Sequence, residues 1–318
     1  MNSIFGENTK NNTKECIINN FLMNIKSKYI LKIIFNNLTK IKSLEINKYN
    51  KTLQDKLDIC FNDYKLYSQS IEIELKPVKN KYGKFINYKK EDESFYHVFF
   101  DDNNEEIKRN HLTEDDKVDK INIIIGPQIK SFFGLFSNCK CIEKVNFKRF
   151  SKYRNNITDM SYMFSECRSL KYINFSSFIT ENVLDMGHMF FYCSSLEELN
   201  LSIFNTYKVT KMNTMFFCCS SIKSINFKNF NTSNVFTMNS MLSQCSSLEE
   251  LDLSYFITDN LEDMGGMFYG CSSLKKLNIS NFNIQKVHNM INLFYDCSLL
   301  KTLYISNFNI SNVKKIEA

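Results

Sequence analysis

The stretch M-F-F-Y-C-S-S-L-E-E-L-N-L-S-I-F-N, Met189 to Asn205, decides the fold. A Met-Phe pair precedes a cysteine; leucines follow that cysteine at three, six and eight places, and a phenylalanine follows at eleven. The same arrangement returns along the chain. Cys167, Cys193, Cys219, Cys245, Cys271 and Cys297 stand 26 residues apart, and Cys139 precedes the first by 28. The two extra residues fall in the loop K-Y-R-N-N after Phe150. Met160, Met186, Met212, Met238, Met264 and Met290 lie seven residues before their cysteines. Phe150, Phe178, Phe204, Phe230, Phe256, Phe282 and Phe308 form a second column, eleven after.

Self-similarity at a fixed period of this size is the mark of a solenoid. A single coil cannot bury its own apolar face, so neighbouring coils must stack. Within each coil the segment L-x-x-L-x-L-S alternates at its end and is bounded by Ser and Asn, which reads as a short strand. V-T-K-M-N-T-M-F-F-C, Val209 to Cys218, spaces its apolar groups at i, i+3, i+6 and i+7, which reads as a short helix. The expected fold is therefore α/β: a leucine-rich-repeat solenoid with parallel strands on one side and short helices on the other.

The unit N-T-S-N-V-F-T-M-N-S-M-L-S-Q-C-S-S-L-E-E-L-D-L-S-Y-F, Asn231 to Phe256, resembles the BspA-like leucine-rich repeats, and the resemblance covers about residues 118–315. It implies a leucine-rich-repeat fold and a role in adhesion or protein binding. Two features depart from the pattern. Phe occupies the place where ordinary repeats carry an inward Asn after the strand, and M-N-S-I-F-G-E-N-T-K-N-N at the start lacks the apolar run of a secretory signal. A second, shorter resemblance lies at residues 28–60. There I-L-K-I-I-F-N-N-L, Ile30 to Leu38, is similar to the first helix of an F-box, although Lys28 and Tyr29 stand where that family carries a proline. It implies docking onto a ubiquitin-ligase adaptor, with the repeats selecting substrate.

Three regions are expected. Residues 1–69 read as helical, with amphipathic helices over 15–66. Residues 70–117 read as a β-rich cap, its strand-like runs being Ile71–Leu75 and Ser94–Phe100. Residues 118–318 read as the solenoid: a degenerate coil at 118–131, whose strand half is Val118–Ile125, then about seven coils, giving eight stacked strands. The last coil lacks a polar cap, which leaves self-association through that end as one expectation.

Charge and motif content narrow the function. The net charge of +6 is spread evenly: residues 1–131 hold 22 basic and 19 acidic side chains, residues 132–318 hold 18 and 15. Arginine occurs only at Arg109, Arg149, Arg154 and Arg168, so nucleic-acid binding is not expected. His97, His111, His188 and His288 join no catalytic or zinc motif, and no phosphate-binding glycine loop is present beyond the isolated pair Gly265–Gly266. No enzymatic activity, cofactor or membrane span is expected. The cysteine column, Cys139, Cys167, Cys193, Cys219, Cys245, Cys271 and Cys297, spreads along an axis, whereas zinc ligands converge on a point, so it reads as a packing ladder with no metal. Thiols of this kind, together with the missing export signal, favour a cytoplasmic location, with the cell surface as the alternative.

What remains for recognition is the outward side of the strands. One column runs Asn146, Asn174, Asn200, Asn226, Asp252, Asn278 and Tyr304; beside it run Lys144, Tyr172, Glu198, Ser224, Glu250, Lys276 and Thr302. The first suits an amide ladder along the axis. Together they suit a concave surface for a protein partner, with Tyr172 and Tyr304 as anchors.

Overall fold

The computed structural model describes Ile25, Leu31 and residues 50–57, 68–101, 103, 105–150, 156–306, 308 and 310–315. The chain forms two compact units: residues 1–69 with 102–105, and residues 70–101 with 106–318. In the first, helix α1 (Lys51–Leu57) starts at Asn50, whose Oδ1 accepts the Leu53 N–H at 3.1 Å and caps the helix. Most of the F-box-like segment lies outside the described residues, as do most of the helices expected over 15–66.

The second unit is a β-solenoid closed at its N-terminal end by an antiparallel sheet. Strands β1 (Ile71–Pro77), β3 (Tyr96–Phe100) and β6 (Ile121–Ile125) stand where the apolar runs place them. A two-residue strand β2 (Gly83–Lys84) pairs with β5 (His111–Leu112), and β4 (Glu106–Ile107) pairs with β3. Alternate residues of β1 and β6 are buried, the pattern of strands with one covered face.

One expectation is corrected here. Ile121–Ile125 is not the strand of a degenerate first coil. It lies antiparallel between β1 and β3, with Ile73 opposite Ile123 and Val98 opposite Ile123. The strand of the first coil is β7 (Ile142–Arg149), and β1 is antiparallel to it, with Leu75 opposite Val145. The edge of the first coil is thus satisfied by β1, which leaves no exposed row of peptide groups there.

From β7 onward the strands are parallel and short: β8 (Tyr172–Asn174), β9 (Glu198–Asn200), β10 (Ser224–Asn226), β11 (Glu250–Asp252), β12 (Lys276–Asn278) and β13 (Thr302–Tyr304). The cap and β7–β8 form one sheet, β9–β10 a second and β11–β13 a third. Seven coil strands are present among the described residues where eight were expected.

The methionine segment differs from the expected helix. Among its residues every second N–H donates to the next coil: Met186 to Lys211, His188 to Asn213, Phe190 to Met215 and Tyr192 to Phe217. The N–H groups between them close β-turns onto the carbonyl three residues back, Met189 to Met186, Phe191 to His188 and Cys193 to Phe190. A helix would direct every N–H along its own axis. Here half of them run along the solenoid axis, and they recur from one coil to the next. The path requires two left-handed residues per coil, five before the cysteine and immediately before it. Tyr162, His188, Thr214 and Ser240 take the first place at φ 57, 57, 50 and 52°, and Gly134 and Gly266 take it elsewhere. The apolar spacing that suggests a helix is the repeat of these turns.

Inside, Met186, Met189, Phe190, Cys193, Leu196 and Leu201 are fully buried, and the equivalent positions in the coils of Cys167, Cys219, Cys245 and Cys271 are buried too; in the last coil Phe294, Cys297 and Leu300 are half-buried and Ile305 is exposed. The rings stack along the axis: Phe136, Phe164, Phe190 and Phe216 at 5.3, 5.6 and 5.4 Å, and Phe178, Phe204, Phe230, Phe256 and Phe282 at 5.5, 6.3, 6.3 and 6.3 Å. Such pairs contribute about 0.5–1.5 kcal/mol each beyond area burial.

Candidate binding surface

From Cys167 to Cys297, each cysteine of the column has a role that packing alone does not require. Cys193 Sγ lies 3.1 Å from Phe164 O, Cys219 Sγ 3.1 Å from Phe190 O, and Cys245 Sγ 3.3 Å from Phe216 O, each thiol donating to the preceding coil. The same carbonyls accept the N–H of their own coil's cysteine. Cysteine is compact, apolar and a weak donor, and this site uses all three properties. Burial pushes the Cys167 thiol up to about 12 and the Cys271 thiol to about 12, so both stay protonated. All nine described cysteines are free thiols.

A buried threonine column, not anticipated from the sequence, clamps coil to coil. Thr206 Oγ1 donates to Asn231 O at 2.9 Å and accepts from Asn231 N–H at 2.8 Å. Thr180, Thr232 and Thr258 make the same double bond to Asn205, Ile257 and Asn283. The sequence signal is a threonine thirteen residues after each of four cysteines.

On the outer side of the strands, the expected amide ladder is made at one rung among the described residues, Asn174 Nδ2 to Asn146 Oδ1 at 2.9 Å. Elsewhere the column turns back on its own chain. Asn200, Asn226 and Asn278 each accept, through Oδ1, the N–H two residues on at 3.0–3.1 Å. Asp252 does the same to Ser254 at 2.9 Å, which explains why Asp replaces Asn: the turn needs only an acceptor.

A neighbouring column, four residues after the cysteines, alternates in charge along the axis. Lys171 pairs with Glu143 at 3.3 Å, Lys223 with Glu197 at 2.8 Å and Lys275 with Glu249 at 2.7 Å. The hydrogen bond from Lys223 holds the Glu197 carboxyl below its ordinary range. The ion pairs fall within the three sheets and the breaks between sheets fall between the pairs, so the first six coils are matched two by two, and the seventh, with Lys301 in the column, joins the third sheet.

The residues expected to meet a partner divide into three groups. Lys144, Tyr172 and Asn174 sit on β7–β8, with Tyr172 53% exposed. Glu198, Asn200, Ser224 and Asn226 follow on β9–β10 and are exposed. Glu250, Asp252, Lys276, Asn278 and Tyr304 come together on β11–β13, lining a groove of about 620 Å³. Lys276 Nζ stands 5.9 Å from the Tyr304 ring centre, within cation–π range. Thr302 is half-buried on β13. Tyr172 and Tyr304, five coils apart, belong to separate ends of the surface.

This architecture and surface define a solenoid repeat protein whose strands present side chains outward. Such a fold suits an interaction scaffold. The chain belongs to the family described as Mycoplasma protein of unknown function, DUF285, whose profile matches twice, over residues 130–226 and 216–318. No curated protein matches the chain. Among the described residues no helix is long and apolar enough to cross a membrane, and no three His, Cys, Asp or Glu side chains are grouped to hold a metal ion.

Proposed function

We propose that the chain is a non-enzymatic protein-recognition scaffold of the BspA-like leucine-rich type, reading its partner on the outer side of the strands. The observation that carries this reading is the groove on β11–β13, where two carboxylates, an ammonium and an exposed tyrosine share one cavity. Mixed charge beside an amphipathic ring is the composition of a selective protein contact. Such a contact fits a polar segment of a partner carrying both an acidic and a basic group. A reducing compartment suits the thiol column, because each Sγ–H must stay unoxidised to donate to the neighbouring coil.

Affinity capture with the whole chain, followed by mass spectrometry, identifies the partner. The same capture with Lys276→Glu and Tyr304→Ala then tests the groove. Each variant is expected to weaken the recovered complex at least about tenfold, a loss of roughly 1.4 kcal/mol, with an unchanged melting profile. A partner retained at full affinity by both variants removes the groove from the interface.

A further inference from the structure

On the turn segments, four places in each coil lie outside the core columns, at six, five, two and one residues before the cysteine. In the coil of Cys271 three of the four are glycine, Gly265, Gly266 and Gly270, and Tyr269 is the one side chain left. No other coil carries more than one glycine at these places. The bared backbone is crossed by amides from the coils on either side. A Cβ added at Gly265 would stand 2.8 Å from Asn289 Nδ2, and one at Gly270 would run into Gln244 Nε2. Glycine is what admits both amides.

The result is a trough of about 400 Å³, within the range of small-molecule sites. Two rings line it, Phe217 and Tyr269. Phe217 stacks on Phe191 of the coil before at 5.2 Å, and Tyr269 on Tyr295 of the coil after at 5.0 Å. Each ring therefore turns its other face towards the coil of Cys245 between them. Four amides also line the trough, Asn239, Gln244, Asn289 and Asn292, and no charged residue does. Asn239 and Asn289 are fixed by Asp263, whose Oδ1 accepts from their Nδ2 groups at 3.4 and 2.9 Å. Gln244 and Asn292 are half-exposed, and their side-chain amides have no hydrogen-bond partner among the described residues, which leaves both open to a ligand.

We infer that this trough is a binding site for a neutral saccharide. A sugar presents a face of C–H groups, which packs on an aromatic ring and meets the negative face of its π-system. Around that face stand hydroxyls that each donate and accept. The primary amide of Gln244 or Asn292 answers them with a donor and an acceptor from one planar end. An anionic ligand finds no cation in the lining, and a cationic one finds no carboxylate. The site stands on the turn segments and not on the strands, so it is independent of the groove on β11–β13.

Saturation-transfer NMR on the whole chain tests the site with methyl glucoside, methyl galactoside, methyl mannoside and N-acetylglucosamine. At least one is expected to bind saturably, in the millimolar range. Tyr269→Ala removes a ring and Gln244→Ala removes an amide; each is expected to weaken that sugar at least about threefold, with the β-rich circular dichroism spectrum retained. Lys276→Glu, on the strand side, leaves sugar binding unchanged, so loss of the groove and loss of the trough are told apart. Retention of dextran points to a polysaccharide, and retention of ovalbumin that is lost with its glycan points to a glycoprotein; either supports the site. Absence of saturable binding by every one of these sugars overturns the assignment, as does binding insensitive to both Tyr269→Ala and Gln244→Ala. Glucuronate bound as tightly as the best neutral sugar, or N-acetyl-tyrosinamide bound more tightly, overturns it as well.

Discussion

Thr206 shows how a single side chain governs the contact between coils. Its hydroxyl is buried, and it satisfies both the N–H and the C=O of Asn231 in the next coil. Replacement by valine keeps the shape but strands both peptide groups. The expected cost is about 1–3 kcal/mol, read as a lower midpoint in denaturant with an unchanged slope. An undiminished midpoint shows that the hydroxyl carries no net stability. The cysteines act in the same way at lower strength, each thiol adding a second donor to a carbonyl that already accepts one. Reading the cysteines as a ladder was possible from spacing alone. Their bonding was not, because the acceptor lies 29 residues earlier in the chain, in the preceding coil.

At the scale of the element, the turn segment is the place where local pattern and tertiary structure part company. Apolar groups at i, i+3 and i+7 fit a helix as well as they fit a run of β-turns. Left-handed residues distinguish the two, and the glycines Gly134, Gly266 and Gly270 are their trace in the sequence. A left-handed conformation costs a non-glycine residue about 1 kcal/mol. Ser240→Gly is therefore expected to raise stability by about that amount. Gly270→Ala is expected to lower it, because φ is +68° and the new Cβ runs into Gln244 Nε2. Thermal melts of the two variants should move in opposite directions; movement in the same direction contradicts the turn geometry. The Asx turns on the strand side follow similar logic, since Asn and Asp there serve the chain's own N–H groups before any partner.

For the molecule as a whole, stability is a sum over interfaces between neighbouring coils. Deleting residues 207–232 removes one period and joins Thr206 to Ser233, so that Thr206 meets Ile257 as Thr232 does now. The shortened chain is expected to keep its β-rich circular dichroism spectrum and a single cooperative melt. A deletion one residue shorter, 207–231, shifts every inward side chain past the junction by one place and is expected to destroy cooperativity. Equal behaviour of the two deletions contradicts a continuous stacked core. The same additivity explains the two-by-two matching of the first six coils: Glu and Lys alternate from Glu143 to Lys275, so each of these coils has one oppositely charged neighbour within its own sheet.

By itself, the sequence determined the period and the inward columns, because those depend on spacing between residues close in the chain. It also placed the outward columns, since strand residues alternate between faces. Only the tertiary structure decided the rest. Ile121–Ile125 joins the cap because β1, fifty residues earlier, offers it an antiparallel edge. The turns replace helices because the next coil supplies carbonyls to half of their N–H groups. The groove on β11–β13 exists because neighbouring coils bring their side chains together. Such contacts join residues about 25 or more apart, and a one-dimensional pattern records which residues repeat without recording what they touch.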